Sequence, residues 1–116
     1  MRHRKKGKIL DRKKEPREMM LRNLASSIII YEKVNTTKTK AKAVKPLVEK
    51  IITIAKNNNL TARRKIISIL PQKMAIKKVM DVLGERYKDK KGGYTRIVKL
   101  KTRPGDGAEI VRIELV

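Results

Sequence analysis

The chain contains no cysteine, phenylalanine or tryptophan, and His3 is its only histidine. Without cysteine there is no disulfide, no thiol nucleophile and no thiolate to bind zinc, a composition compatible with the cytoplasm. His3 lies among fixed charges, and nothing beside it in sequence holds it as a general base or a metal ligand. Three tyrosines spread along the chain do not build a base-stacking platform. No glycine-rich loop opens a helix to cradle phosphate, since Gly92-Gly93 precedes a strand pattern instead. These residues imply no catalytic group, no metal, no cofactor and no small-molecule substrate. No run approaches the roughly 20 apolar residues of a membrane-spanning helix, so no membrane partner is expected.

Negative charge is scarce as well. Eleven acidic residues oppose 32 basic ones, a formal net charge of +21. Such an excess opposes compaction unless a polyanion neutralises it. The excess is densest at the start, where Arg2, Arg4, Lys5, Lys6, Lys8, Arg12, Lys13, Lys14 and Arg17 face only Asp11 and Glu15. Ile9 and Leu10 alone cannot make a core. Residues 1–15 therefore read as a basic arm, extended in water and ordered against phosphate backbones. Residues 16–116 read as one globular domain, large enough to bury a core. A secretory signal needs roughly 7–15 apolar residues near its start, and none is present here. A mitochondrial transit peptide is usually rich in serine, which this arm lacks.

Along the body, Pro16 suits a first helical turn, and Glu15 and Glu18 sit near its positive dipole end. Met20, Leu21, Leu24, Ile28 and Tyr31 follow at helical spacing, predicting a helix over about 16–32. Residues 33–37 form a short β-type segment, and Thr36 or Thr37 can cap the next helix. There Ala41, Val44, Val48, Ile51 and Ala55, widened by Leu47 and Ile52, predict a core-facing helix of about 20 residues. Its stripe keeps phase across Pro46, which argues for one kinked helix rather than two. Asn57-Asn58-Asn59 ends it. A short helix over about 61–70 turns Ile66, Ile67 and Leu70 inward, and Pro71 stops it. A fourth, over about 72–87, carries Ala75, Ile76, Val79, Met80 and Leu83, with Gly84 placed to cap or shorten it. Residues 94–101 alternate, with Tyr94, Val98 and Leu100 on one face, and 109–116 alternate with Val111, Ile113 and Leu115 together. Turn formers at 102–108 make a hairpin the simplest joining. The expected fold is therefore α+β, a two-layer domain of helix, strand, three helices and two strands with a small mixed sheet.

Surface motifs divide between plain and functional readings. Asp81 and Glu85 share a helix face, yet Lys77 four residues before Asp81 makes a surface ion pair the better reading than a metal site. Arg63-Arg64-Lys65 starts a helix and fits a clamp for an RNA backbone. Helices three and four imitate a helix-turn-helix, but Asp81 and Glu85 on the second would repel phosphate. Of the alternatives, a DNA-binding regulator lacks a defined reading helix. A membrane-active domain would need an exposed amphipathic helix, whereas these stripes suit mutual burial.

Several stretches together resemble a known family. They are Met1-Arg2-His3-Arg4 with Gly7; Leu21-Arg22-Asn23-Leu24-Ala25; Thr36-Thr37 before Ala41-Lys42-Ala43; and Pro46, Val48-Glu49-Lys50 and Ile52-Thr53. Ala62-Arg63-Arg64, Gly92-Gly93-Tyr94-Thr95-Arg96-Ile97, Gly105-Asp106 and Glu114-Leu115-Val116 complete the set. In this order they resemble the bacterial large-subunit ribosomal protein seventeen family over essentially the whole chain. The resemblance implies a non-catalytic constituent of the large ribosomal subunit that binds its RNA near the peptide exit side, among neighbouring ribosomal proteins. It implies that Arg2, His3, Arg4, Lys5 and Lys6 form an RNA-facing arm, which the charge pattern extends to Lys8, Arg12, Lys13 and Lys14. Arg22, Asn23, Arg63, Arg64, Tyr94, Thr95 and Arg96 are the other matched positions, open to a part in RNA contact or in the fold. The chain departs from the family pattern at Asp11, in place of a glycine, and at Lys101-Thr102.

Overall fold

A computed structural model describes residues 13–116. The arm positions Arg2, His3, Arg4, Lys5, Lys6, Lys8 and Arg12, and the expectation that they order against phosphate, lie outside the described residues. Helix α1 (Lys14–Tyr31) leads through Glu32, in the left-handed conformation, into strand β1 (Lys33–Thr37). Helix α2 (Lys38–Ala55) runs unbroken across Pro46, and α3 (Leu60–Ile69) comes next. Helix α4 (Lys73–Lys78), a π-helical turn (Val79–Leu83) and a closing turn α5 (Gly84–Arg86) succeed one another without a gap. They fill the place of the expected fourth helix. Strands β2 (Thr95–Thr102) and β3 (Glu109–Leu115) form a hairpin.

The α+β order is as expected, but the sheet is not mixed. Its order is β1-β3-β2 and both pairings are antiparallel. The last strand thus takes the centre, where Val111 and Ile113 are buried. The helices cover that face and form one core with it, through Ala25, Ile28 and Ile29 of α1 and Val44, Val48, Ile51 and Ile52 of α2. Helix α2 lies at the middle and touches α1, α3, the π-helical turn and all three strands. This is why its apolar stripe is complete: Ala41, Val44, Val48, Ile51 and Ala55 are all fully buried.

Three side-chain expectations fail for identifiable reasons. Tyr31 is exposed, because the buried stripe of α1 follows Ala25, Ile28 and Ile29 with Leu21 and Leu24 at its edge. Ile67 of α3 is exposed, since a ten-residue helix packed by one edge buries only Ala62 and Ile66. In β2 the face grouped from alternation divides, with Tyr94 buried just before the strand but Val98 and Leu100 turned from the core. Ile97 pairs with buried Ile113 and joins the core edge, while Leu100 lies exposed beside a register shift between Lys99 and Lys101. Alternation alone does not say which face of a strand meets the helices.

Gly84 does not end a helix either. Its φ is −58°, and a Cβ there would lie 2.8 Å from the carbonyl oxygen of Ala55. The glycine lets the π-helical turn close against the end of α2. The same turn explains why the expected ion pair is missing. With five-residue spacing inserted after Lys78, Lys77 makes no ion pair with Asp81.

Candidate nucleic-acid interface

Most of the carboxylates that make side-chain contacts pair with the protein's own cations. Glu32 accepts from Lys78 at 2.9 Å and pairs with Arg86. The Arg86 hydrogen bond, followed by that of Lys78, pulls its carboxyl down to about 2. Glu109 lies 3.2 Å from Lys38 and 3.7 Å from Lys99, and Asp106 pairs with Arg103. Glu114 accepts from the Nε of Arg96 at 2.9 Å. Because these acids are spent internally, they leave other stretches of surface without counter-charge.

Glu49 does something different. It is the only acid on α2, among many lysines. Its Oε2 accepts from the backbone N–H of Tyr94 at 3.1 Å. Its Oε1 accepts from the backbone N–H of Thr95 at 3.0 Å and from its hydroxyl at 2.8 Å. Lys56, immediately past the end of α2, donates to the Tyr94 hydroxyl at 2.9 Å and also bonds the carbonyl of Lys90. The Tyr94 ring lies 5.2 Å from that of Tyr87, whose hydroxyl donates to the carbonyl of Val116. Gly93, at φ 64°, turns the chain into this staple. Tyr94 and Thr95 are 1 % and 4 % exposed. The geometry therefore gives both a part in the fold, and neither presents its side chain outward.

The other candidate positions among the described residues lie at or near the surface. Lys13 and Lys14 are exposed at the start of α1, Arg22 is half-buried and Asn23 exposed. Helix α3 opens on Asn59, whose side chain accepts from the N–H of Ala62 at 2.8 Å. Arg63, Arg64 and Lys65 come directly after Ala62 and are exposed. Cations at this positive dipole end do not stabilise the helix, so an external anion is the partner that would. Among the described residues none of these cations has an ion pair. Arg63 shares an open groove of about 410 Å³ with Lys73, Lys77, Ile67, Ile76 and Asp81. The structure thus joins α3 and α4 into one basic surface. It keeps Arg96, on the sheet, apart from Arg63 and Arg64 in the fold.

Sequence reasoning passed over Glu49 as anything but part of a matched stretch. The available signal was a single acid on a lysine-rich helix, beside the buried Val48. It also passed over Glu32, whose role depends on contacts more than 40 residues away.

Known proteins are similar to this chain over most or all of its length. A family model described as "Ribosomal protein L17" matches residues 20–116. Proteins named "Large ribosomal subunit protein bL17" are similar along the whole chain. That of Solibacter usitatus is 52% identical over 116 residues, covering all of this chain and 77% of its own length. That of Rickettsia bellii is 51% identical over 116 residues, covering all of this chain and 82% of its own. That of a Hydrogenobaculum species is 47% identical over 117 residues, covering all of this chain and 99% of its own.

Proposed function

The chain belongs to the ribosomal protein L17 family, and on that premise we propose that it is a structural constituent of the large ribosomal subunit. In this reading it binds and stabilises folded large-subunit ribosomal RNA, acts in the cytoplasm within the ribosome, and catalyses no reaction. Similarity over the full chain to proteins named for the large subunit carries the reading. The unpaired cations support it, because polyanion binding gains from counterion release at each neutralised phosphate.

The contacts we assign are to backbone phosphates rather than to base edges. Arg2, His3, Arg4, Lys5, Lys6, Lys8 and Arg12 would reach RNA as an arm continuous with Lys13 and Lys14. Arg22, Asn23, Arg63, Arg64 and Arg96 would meet it from the body, while Tyr94 and Thr95 serve the fold. Neighbouring large-subunit proteins are the other partners of this reading, with a position near the peptide exit side. Co-sedimentation with large subunits tests the assignment. Affinity for a large-subunit RNA transcript should also fall roughly 10³–10⁵-fold between 50 and 200 mM salt, given on the order of six to ten phosphate contacts. Exclusion from large subunits, or a flat salt response, would contradict it.

A further inference from the structure

The sheet face turned away from the helices carries a cluster of its own. Val34, Ile97, Val111 and Ile113 point to the core, so alternation places Lys33, Arg96, Arg112 and Glu114 on the other side. Glu114 on the central strand pairs with Lys33 across β1 and with Arg96 across β2. Arg112 stands two residues before it on the same face. Glu114 is 4 % exposed on the side that, among the described residues, no helix covers, so its carboxylate lies beneath its neighbours' side chains. It accepts from the Nε of Arg96 at 2.9 Å, and the Nε of Arg112 lies 3.6 Å from its other oxygen.

The donor count shows what this cluster leaves free. A guanidinium has about five N–H donors in a rigid fork. Among the described residues, Arg96 spends one on Glu114, and Arg112 makes no side-chain hydrogen bond. The Nε of Arg112 is buried without an acceptor, while its side chain as a whole remains 36% exposed. One carboxylate set against three cations leaves surplus positive charge. A carboxylate placed only to neutralise the face would not leave so many donors free.

We propose that Glu114 positions Arg96 and Arg112 as a two-arginine clamp for backbone phosphates of folded RNA, with Lys33 adding charge beside them. This rests on the RNA-binding reading and adds the sheet's open face to it. Arginine suits the task because its fork meets phosphate oxygens in pairs. Glu114 is a positioning residue, and it need not touch the RNA.

The sign of one substitution separates positioning from neutralisation. Glu114→Gln removes a negative charge, so simple electrostatics predicts tighter binding to RNA. Positioning predicts weaker binding, on the order of tenfold. The probe is a large-subunit RNA transcript titrated with the full chain over a salt series, with thermal melting of each variant alongside. Should Glu114→Gln fail to fold, Arg112→Lys and Arg96→Lys keep the charge and remove the fork. Each should weaken binding several-fold with little change in salt slope. Glu114→Gln that binds as tightly as the unaltered chain or more tightly, or lysine variants equal to it, overturns the clamp. Failure of the unaltered chain to bind the transcript overturns the RNA reading and the clamp together. Binding by Arg63→Ala/Arg64→Ala with a reduced salt slope, alongside indifference to the three sheet substitutions, overturns the clamp alone.

Discussion

The Glu49 staple and the Arg63-Arg64-Lys65 turn are opposite uses of charge. At the staple one carboxylate faces three donors, and the two residues it holds, Tyr94 and Thr95, are buried. At the start of α3 three cations face solvent with no ion pair among the described residues, at a helix end whose dipole does not favour them. The staple gains from being partly shielded from water, because hydrogen bonds to a charged acceptor strengthen as water is excluded. The α3 turn is open, and under the proposed function RNA is the partner that would complete it. Glu49, Arg63 and Arg64 all lie in stretches by which the sequence resembles its family, so a place in such a stretch does not distinguish fold from surface; burial and hydrogen bonding do.

Glu49 is where the two regions should differ most. Glu49→Ala leaves the N–H groups of Tyr94 and Thr95 and the Thr95 hydroxyl without their acceptor. The expected loss is about 2–4 kcal/mol of folding stability, measured by urea unfolding. Affinity for RNA per folded molecule should stay within about twofold, since these groups face inward. A variant as stable as the unaltered chain would show that the staple is incidental.

Gly84→Ala comes next. Its new Cβ would meet the Ala55 carbonyl oxygen at 2.8 Å, and backbone on both sides resists moving. Overpacking of this kind costs about 1–3 kcal/mol. Unfolding midpoints should fall while RNA affinity per folded molecule holds. An unchanged midpoint would mean that the π-helical turn and α2 separate freely.

Arg63→Ala with Arg64→Ala reverses the pattern. Exposed and unpaired side chains of this kind change stability by only about 0.5 kcal/mol or less. The salt slope of RNA binding should fall by roughly one for each phosphate no longer neutralised. If stability falls and the slope does not, the two regions have been assigned the wrong way round.

These contrasts bear on what was legible in the residues alone. The element order was readable because α2 sits at the centre and buries a full stripe, so its period is complete. The short strand at Lys33–Thr37 and the closing hairpin were readable from β-type residues and turn formers. The inward face of β2 was not. Val98 and Leu100 are more apolar than Thr95 and Lys99, yet pairing with β3 turns Ile97 inward. The π-helical turn was hidden because Gly84 looks like a helix end. Its role lies in a carbonyl 29 residues away in sequence, at Ala55. Of the candidate interface, the cation-rich stretches were legible as charge. Which of the matched polar residues turn inward depended on Glu49, a contact between residues more than 40 apart.

The smallest effect expected here concerns acid. Glu32 closes α1 and holds Lys78 and Arg86, and its carboxyl lies at about 2 rather than at its ordinary 4.5. A folded-state value below the unfolded one contributes stability above the unfolded value. That contribution disappears as pH falls through the folded value, here between about 4.5 and 2. The side chain is about one-third exposed, so solvent and salt screen the pairing and the contribution is modest. Asp106, Glu109 and Glu114 are also held low by basic partners, so the acid limb of the whole protein cannot isolate Glu32. A difference can. Glu32→Gln should be less stable than the unaltered chain at pH 7, and Lys78 keeps its hydrogen bond to the Ile30 carbonyl, which limits the loss. The gap between the two proteins, followed by urea unfolding at low salt, should narrow steadily from about pH 5 to about pH 2. A gap that stays constant over that range would mean that the Glu32 charge contributes nothing beyond the shape of its side chain.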